Sequence, residues 1–408
     1  MRKTIIAGMV LCSLLAGMVQ PVIAKDRQCW NRETLCPVTE QVEKKELQSK
    51  SYVLMEGKTG TVLCQRNMNK ELMPASITKI MTILLIYEAI DEKQIALDDV
   101  VRISSHAAGK GGSQVFLEEG EEQTVESLLK CIVIASANDA ATAMAEYIAG
   151  SEEAFVKKMN QRARELNMKH TQFSNCCGLD DTLTSSQHYS CAYDIALMSR
   201  ALIMNYPEVE KYTTTWMDEI THVTKRGETA FGLTNTNKLV RTYNGINGLK
   251  TGSTSKAKFC LSATAKRDQL QLIAVVMCAP DPNVRFQEAA TLLDYGFANC
   301  TVYQDDNKNC RKVLEVAKGK CDTVSVEPKE EFSYVCVNGQ QPDNIEKKIK
   351  WNTPLYAPIQ KGQEVGRIWY YYKNKKIGTI PIIAKDNVEK AKYIDYVKTL
   401  IQDVWLVA

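Results

Sequence analysis

Three short clusters hold residue types that can assemble a nucleophile, its base and a binding edge. The first is Ser76-Ile77-Thr78-Lys79. On a helix, positions i and i+3 share a face, so Lys79 lies beside the Ser76 hydroxyl. A serine is a weak nucleophile until a neighbouring base takes its proton. Lysine serves as that base only when neutral, and both burial and a second cation favour the neutral form. The second cluster is Ser136-Ala137-Asn138. Ser136 can pass a proton between Lys79 and a leaving amine, and Asn138 offers an amide to a substrate backbone. The third is Lys250-Thr251-Gly252, followed by Ser253. A Lys beside a Thr hydroxyl on an edge strand suits a carboxylate. Gly252 lets a ligand approach the strand closely, and backbone N–H groups there can face a developing oxyanion. Each cluster alone is common by chance. Their order and spacing make the set specific, with Ser136 60 residues after Ser76 and Lys250 112 after Asn138.

The elements that must carry these residues follow from hydrophobic periodicity. Ser51 to Gln65 alternates around a Glu56–Gly60 turn and predicts a β-hairpin. Gly57-Lys58-Thr59 mimics a phosphate loop, but the glycine that such a loop needs five residues earlier is missing. Helical patterns run over Ser76–Ile90, Thr124–Ile148, Glu152–Leu166 and Ala289–Phe297. Phe259–Ala265 and Gln271–Cys278 read as adjacent strands. From Cys300 to Ala384 the pattern changes to short β-like runs (Thr323–Val326, Tyr334–Val337, Glu364–Tyr372, Lys376–Ile383), which predicts a separate small all-β domain. The chain has 408 residues, 45% hydrophobic and 24% charged, with a net charge of +3. That composition excludes a disordered, fibrous or polytopic membrane protein and gives no basic excess for nucleic acid. Its four His form no H-E-x-x-H zinc-hydrolase motif.

The two ends carry addressing information. Arg2 and Lys3, an apolar run from Ile5 to Val19, and Val22 and Ala24 before Lys25 read as a cleaved secretory signal over residues 1–24. Residues 25–47 read as a polar spacer. At the other end, Tyr393, Ile394, Val397, Leu400, Ile401, Val404 and Trp405 share one face of a helical wheel over residues 386–408. An amphipathic helix of this kind lies in a membrane interface, with Trp405 and the tyrosines at headgroup level; a helix packed on its own domain is the alternative. There are 14 Cys, one inside the signal, so the mature chain has an odd number and at least one unpaired thiol. Cys29 with Cys36, Cys300 with Cys310 and Cys321 with Cys336 have spacings that permit bridges. Cys131, Cys260 and Cys278 sit in apolar runs and read as core residues. The vicinal Cys176-Cys177 lacks a second pair at ligand spacing, so no metal is expected.

Taken together, the motifs and the strings PASITKIMT (74–82), IASANDAA (134–141), FSNCCGLDD (173–181), HYSCAYDIALMSRAL (188–202) and GLKTGSTSKAKFCLSATAKRD (248–268) resemble the low-molecular-mass penicillin-binding proteins that are serine-type D-Ala-D-Ala carboxypeptidases, peptidase family S11. The resemblance spans Ser51 to Phe297, and the β-domain and terminal helix look like the family's stalk and membrane foot. It implies an α+β fold of the serine β-lactamase/transpeptidase type, with an antiparallel sheet and a helical lobe over residues 48–298, then the β-rich domain over 299–385. It implies Ser76 as nucleophile, Lys79 as general base and Ser136 as proton relay. Asn138, Lys250 and Thr251 would bind substrate, with Gly252 allowing the approach. The N–H groups of Ser76 and Ser253 would form the oxyanion hole, and Arg285 would help read the terminal carboxylate. The partners implied are a muropeptide ending in D-Ala-D-Ala, β-lactams as covalent inhibitors and the membrane surface, with no cofactor. The place implied is the outer face of the cytoplasmic membrane. A β-lactamase of the same fold would need an E-x-x-L-N-type loop, which is missing between Asn138 and Lys250. A non-catalytic β-lactam sensor would have lost part of the motif set, which is complete. Transpeptidation uses the same motifs and stays open. Where the family often has Pro-His before Gly-Leu, this chain has Cys176-Cys177.

Overall fold

A computed structural model describes residues 47–180, 187–224, 227–337 and 339–406. The signal read over 1–24, the spacer up to residue 46, and Cys29 and Cys36 lie outside these residues.

Ser51–Glu56 (β1) and Val62–Arg66 (β2) form the first hairpin. The amides of Lys58 and Thr59 donate to the Glu56 carboxylate at 2.8 and 2.7 Å, so an acid occupies the place a phosphate would need. Three later strands, Ile246–Thr254 (β3), Lys258–Arg267 (β4) and Leu270–Ala279 (β5), complete an antiparallel sheet in the order β2-β1-β5-β4-β3. β5 reads LQLIAVVMCA and is buried throughout. Successive side chains of a strand point to opposite faces, and β5 feeds two cores accordingly. Ile273, Val275 and Met277 join the core beneath the helical lobe, while Leu272, Ala274 and Val276 join the core beneath Val284–Asn299.

The helical lobe contains Lys79–Asp91 (α1), Val125–Val133 (α2), Asn138–Ala149 (α3), Glu152–Glu165 (α4) and Ala192–Asn205 (α5); Val284–Asn299 (α6) covers the opposite sheet face. α1 is buried from Lys79 through Ala89. A helix that is apolar all round must be enclosed on every side, and here it threads the largest core. The expected helix over Ser76–Ile90 begins differently: Ala75–Thr78 is a tighter 3-10 turn leading into α1. In that geometry residues i and i+3 eclipse, which brings Ser76 and Lys79 closer still. The helical run over Thr124–Ile148 is broken by residues 134–137, where Ser136 has φ +61°. Thr124 caps α2 by accepting from the Ser127 amide, and Ser151 caps α4 from Ala154.

Beyond α6, Cys300–Asp305 pairs with Phe332–Val337, and six further strands form a second sheet around its own core. At its centre Tyr370 stacks on Phe332 with ring centroids 3.7 Å apart, and its hydroxyl reaches Asn307 Oδ1 at 2.6 Å. Ile345–Trp351 was not foreseen as a strand because its lysines mask the alternation; it forms an edge of this sheet, where charge guards against further pairing. The hairpin Met217–Thr234 was likewise not foreseen, its outward positions being largely exposed and polar.

Two expectations are corrected. Among the described residues the terminal helix spans Tyr393–Leu406 (α7), so it begins well after residue 386. Residues ahead of it are extended and tied to the β-domain by bridges of Val388 to Ile359 and Lys390 to Gly319. The bridges that spacing permitted for Cys300–Cys310 and Cys321–Cys336 are absent, and no cysteine among the described residues is in a disulfide. Cys300 belongs to the core under α6 and Cys310 to the β-domain core; Cys321 is exposed whereas Cys336 is buried.

The backbone packs tightest where two loops meet at the Ser76 turn. Gly178 has φ +85°, and a Cβ there would lie 1.9 Å from the Ala75 carbonyl oxygen. Gly178→Ala is therefore expected to cost about 2 kcal/mol or more, seen as a fall of roughly 4–8 °C in the thermal midpoint. An unchanged midpoint would show that the loop can yield.

Candidate active site

Ser76 sits on the turn before α1, and Lys79 is the first residue of that helix. Lys79 Nζ has three partners: Ser76 Oγ at 3.0 Å, Asn138 Oδ1 at 2.6 Å and the Cys177 carbonyl oxygen at 2.9 Å. The last two oxygens can only accept. An ammonium donates to all three partners; a neutral amine has two N–H donors and one lone pair. With both carbonyl oxygens requiring donors, the lone pair of the neutral form falls on Ser76, whose hydroxyl can donate to it. Burial pushes Lys79 below the usual lysine range, while Cys177, Cys176 and Asp139 pull the other way.

Asn138 opens α3 and is fixed from both ends. Its Nδ2 donates to the Gly111 carbonyl at 2.7 Å and its backbone N–H to that of Ser113 at 2.7 Å. The next residue, Asp139, holds the same loop through the amides of Val115 and Leu117. Ser136 stands two residues before Asn138, buried, in the break between α2 and α3. Ala75 and Ser136 both have positive φ without being glycine, at +49° and +61°. Such backbone costs about 1–3 kcal/mol per residue and gathers at functional sites.

β3 brings the third cluster against the first. A Cβ on Gly252 would lie 2.7 Å from the Pro74 carbonyl and 3.1 Å from the Ile77 amide. The strand therefore rests directly on the turn that carries Ser76, and only glycine fits. Lys250 is buried and donates to the Thr251 carbonyl at 3.2 Å. Burial, then the Lys79 and Arg285 cations, hold it well below the ordinary lysine range. Thr251 is buried and shares a 2.7 Å hydrogen bond with the Thr236 hydroxyl, whereas Ser253 is exposed at the rim. Arg285 lies further back: its guanidinium donates to the Gly252 and Cys260 carbonyls at 3.0 and 3.3 Å and packs on Phe259 and Phe286. It braces β3 and adds positive charge behind Lys250.

Several supporting residues escaped the sequence reading. His188 accepts from the Ser174 amide at Nδ1, so Nε2 carries the proton and donates to Thr78 Oγ1 at 2.9 Å, between Ser76 and Lys79 in the chain. Asp180 accepts from Thr254 Oγ1 at 2.5 Å, and its carbonyl from Lys256 Nζ at 2.7 Å, tying the 176–180 loop to β3. Glu152 accepts from the Cys176 amide. Burial pushes Glu152 up, but hydrogen bonds from Lys110 and His106 outweigh it and hold it at about 2. None of these pairs has a local signature, since each joins segments that are distant in the chain.

A serine whose hydroxyl faces a desolvated lysine, beside the open edge of an antiparallel sheet, fits an acyl-transferring serine hydrolase. Comparison with known proteins narrows the class. A family model described as D-alanyl-D-alanine carboxypeptidase matches residues 38–281. Another, described as penicillin-binding protein 5, C-terminal domain, matches residues 297–390. The chain is 43% identical to D-alanyl-D-alanine carboxypeptidase DacF of Bacillus subtilis, over 87% of this chain and 90% of that one. It is 35% identical to DacD of Escherichia coli, over 84% and 87%. Among solved structures, penicillin binding protein 5 from Haemophilus influenzae aligns with a TM-score of 0.72 at 28% identity, covering 85% of this chain and 98% of that one. The chain belongs to the D-alanyl-D-alanine carboxypeptidase family. It is a serine-type enzyme of that family, acting through an acyl-enzyme and binding β-lactams covalently.

Burial pushes His188 down to about 4, from 6.5. Between those values the unfolded chain binds a proton that the folded chain refuses. Its contribution to stability is thus complete above pH 6.5 and drains away as the pH falls toward 4. Urea unfolding at pH 7 and pH 4.5 should show this loss, and His188→Gln should remove about 2 kcal/mol of it. An identical pH dependence in the variant would place the titrating group elsewhere.

Proposed function

We propose that Ser76 attacks the carbonyl between the two terminal D-alanines of a peptidoglycan stem, and that Lys79 takes its proton. The observation that carries this assignment is the Lys79 amine, whose other two partners are oxygens that cannot donate. A base in contact with the nucleophile and matched in pKa contributes a large part of such a rate. Ser136 relays the proton to the departing D-alanine. Asn138 aligns the peptide along β3. Lys250 and Thr251 receive the terminal carboxylate, with Arg285 strengthening the positive field. The amides of Ser76 and Ser253 stabilise the oxyanion, since fixed N–H donors need no reorganisation as charge develops. Water then releases the shortened stem, which can no longer serve as a cross-linking donor through that bond.

The division proposed for the chain is a catalytic domain over residues 48–298, a β-rich domain over 299–385 and a terminal segment over 386–408. Residues 1–24 direct export, and α7 attaches the enzyme to the outer face of the cytoplasmic membrane. No helix among the described residues is long and apolar enough to cross a membrane. Support for a surface anchor comes from Tyr393, Ile394 and Ile401, which are exposed on α7. Apolar side chains left outside at helical spacing suit the interface between headgroups and acyl chains.

Two experiments test these readings. A labelled penicillin should attach to the peptide containing Ser76, and Ser76→Ala should lose both the label and D-alanine release from a D-Ala-D-Ala tripeptide. Lys79→Arg keeps the charge but cannot act as a base, so acylation should fall by ~10²–10⁴-fold. A near-native rate would leave Lys79 only an electrostatic role.

Deleting residues 386–408 should release an enzyme that still cleaves the small tripeptide. The full-length protein should stay on vesicles through a high-salt wash, because the segment carries three Lys against four acids and binds mainly through apolar area. A truncated protein that still sediments with membranes would refute the anchor.

A further inference from the structure

The two thiols beside the catalytic lysine take no part in the reaction, which uses only their backbone carbonyls. Cys176 Sγ, Cys177 Sγ and a carboxylate oxygen of Glu152 lie within 4.8 Å of one another, and all three residues are buried. We propose that Glu152, Cys176 and Cys177 form a site for a thiophilic divalent cation of the zinc group, and that filling it slows acylation at the active site.

The geometry is close to what such an ion requires. Tetrahedral coordination with bonds of about 2.3 Å to sulfur and 2.0 Å to oxygen sets ligand atoms about 3.5–3.8 Å apart. Cys176 Sγ already stands 3.3 Å from Glu152 Oε1. The second carboxylate oxygen is held by Lys110 Nζ at 2.5 Å and His106 Nε2 at 3.0 Å. Outer partners of this kind orient a ligating carboxylate and are themselves part of a metal site. The His106 side chain is 52% exposed, so the cluster has an outer partner at the surface, and a water fills the fourth position. The ion displaces the two thiol protons and its own hydration water. One M²⁺, two S–H groups and one carboxylate give an M(S)₂(O) centre of charge −1 and two released protons, with no change in oxidation state.

The coupling to catalysis runs through two peptide groups. The Cys177 carbonyl accepts from Lys79 Nζ, and the Cys176 carbonyl accepts from Thr82 Oγ1 at 2.5 Å on the next turn of α1. Drawing both sulfurs onto one ion shifts these carbonyls. Sequence spacing could not reveal the site, because Glu152 is 24 residues from Cys176.

The test uses the full-length protein, reduced and stripped of metal, titrated with Cd²⁺ and separately with Zn²⁺. One equivalent of Cd²⁺ should bind with an ultraviolet sulfur-to-metal charge-transfer band. Acylation by a labelled penicillin should slow about tenfold or more, as for a catalytic group moved off its position, and recover with a chelator. The variant C176S/C177S should lose the charge-transfer band, and separately Glu152→Gln should bind more than about tenfold more weakly, each compared with its own metal-free acylation rate. A double variant that binds like the native protein would overturn the site. A native protein holding Cd²⁺ on these thiols yet acylating at its metal-free rate would overturn the coupling. The kinetic half rests on the reading of Ser76, so the label is mapped first in metal-free protein. Label on another serine would refute that reading while leaving the binding titration intact.

Discussion

Lys79 enters a helix that is enclosed on every side, and its amine meets only three polar atoms there. A charge in such a place is costly unless it is fully paired. The partners come from three separate segments: the turn before α1, the start of α3 and the 176–178 loop. Each has to be held within hydrogen-bond reach. Most of the local architecture of the lobe serves that requirement. α1 is apolar because it must be threaded through the core, and threading it through the core is what desolvates Lys79.

Buried acids hold the loops in place. Asp139 fixes the 113–117 loop by its amides, Glu152 fixes Cys176, and Asp180 fixes β3 to the 176–180 loop. Each carboxylate is taken from water and compensated by donors that would otherwise lack partners. The pattern explains why strained residues persist at Ala75 and Ser136. At Ala75 the surroundings allow no alternative backbone, because Gly178 and Gly252 already touch that turn without a Cβ to spare. The Cys176-Cys177 pair sits inside this framework, so chemistry at its sulfurs has a short path to the lysine.

The β-domain is organised on different terms. Its core is separate, centred on Tyr370 and Phe332, and its edge strand is charged rather than covered. The extended residues before α7 are stitched to this domain by Val388 and Lys390. That arrangement leaves α7 with Tyr393, Ile394 and Ile401 exposed.

That Ser76 and Lys79 would lie side by side, and that Lys250 and Thr251 would stand on a strand, was legible in the residues because each motif is local to one helical turn or one strand. The hairpin, the neighbouring strands β4 and β5 and the change to β-structure after Cys300 were legible because they follow short apolar or alternating runs. The sequence did not show that a 3-10 turn carries Ser76, because the choice depends on Gly178 and Gly252 pressing on the Ala75 and Pro74 carbonyls. It placed Cys131, Cys260 and Cys278 in the core, but spacing alone also permitted a Cys300–Cys310 bridge that their separate cores forbid. Residue types and their order thus determined which chemistry this chain attempts. Only the tertiary structure decided that Lys79 is desolvated with two accept-only oxygens beside it, that His188 steadies Thr78, and that Glu152 meets two thiols. Those facts arise from contacts between segments far apart in the chain, and no periodicity or local spacing encodes them.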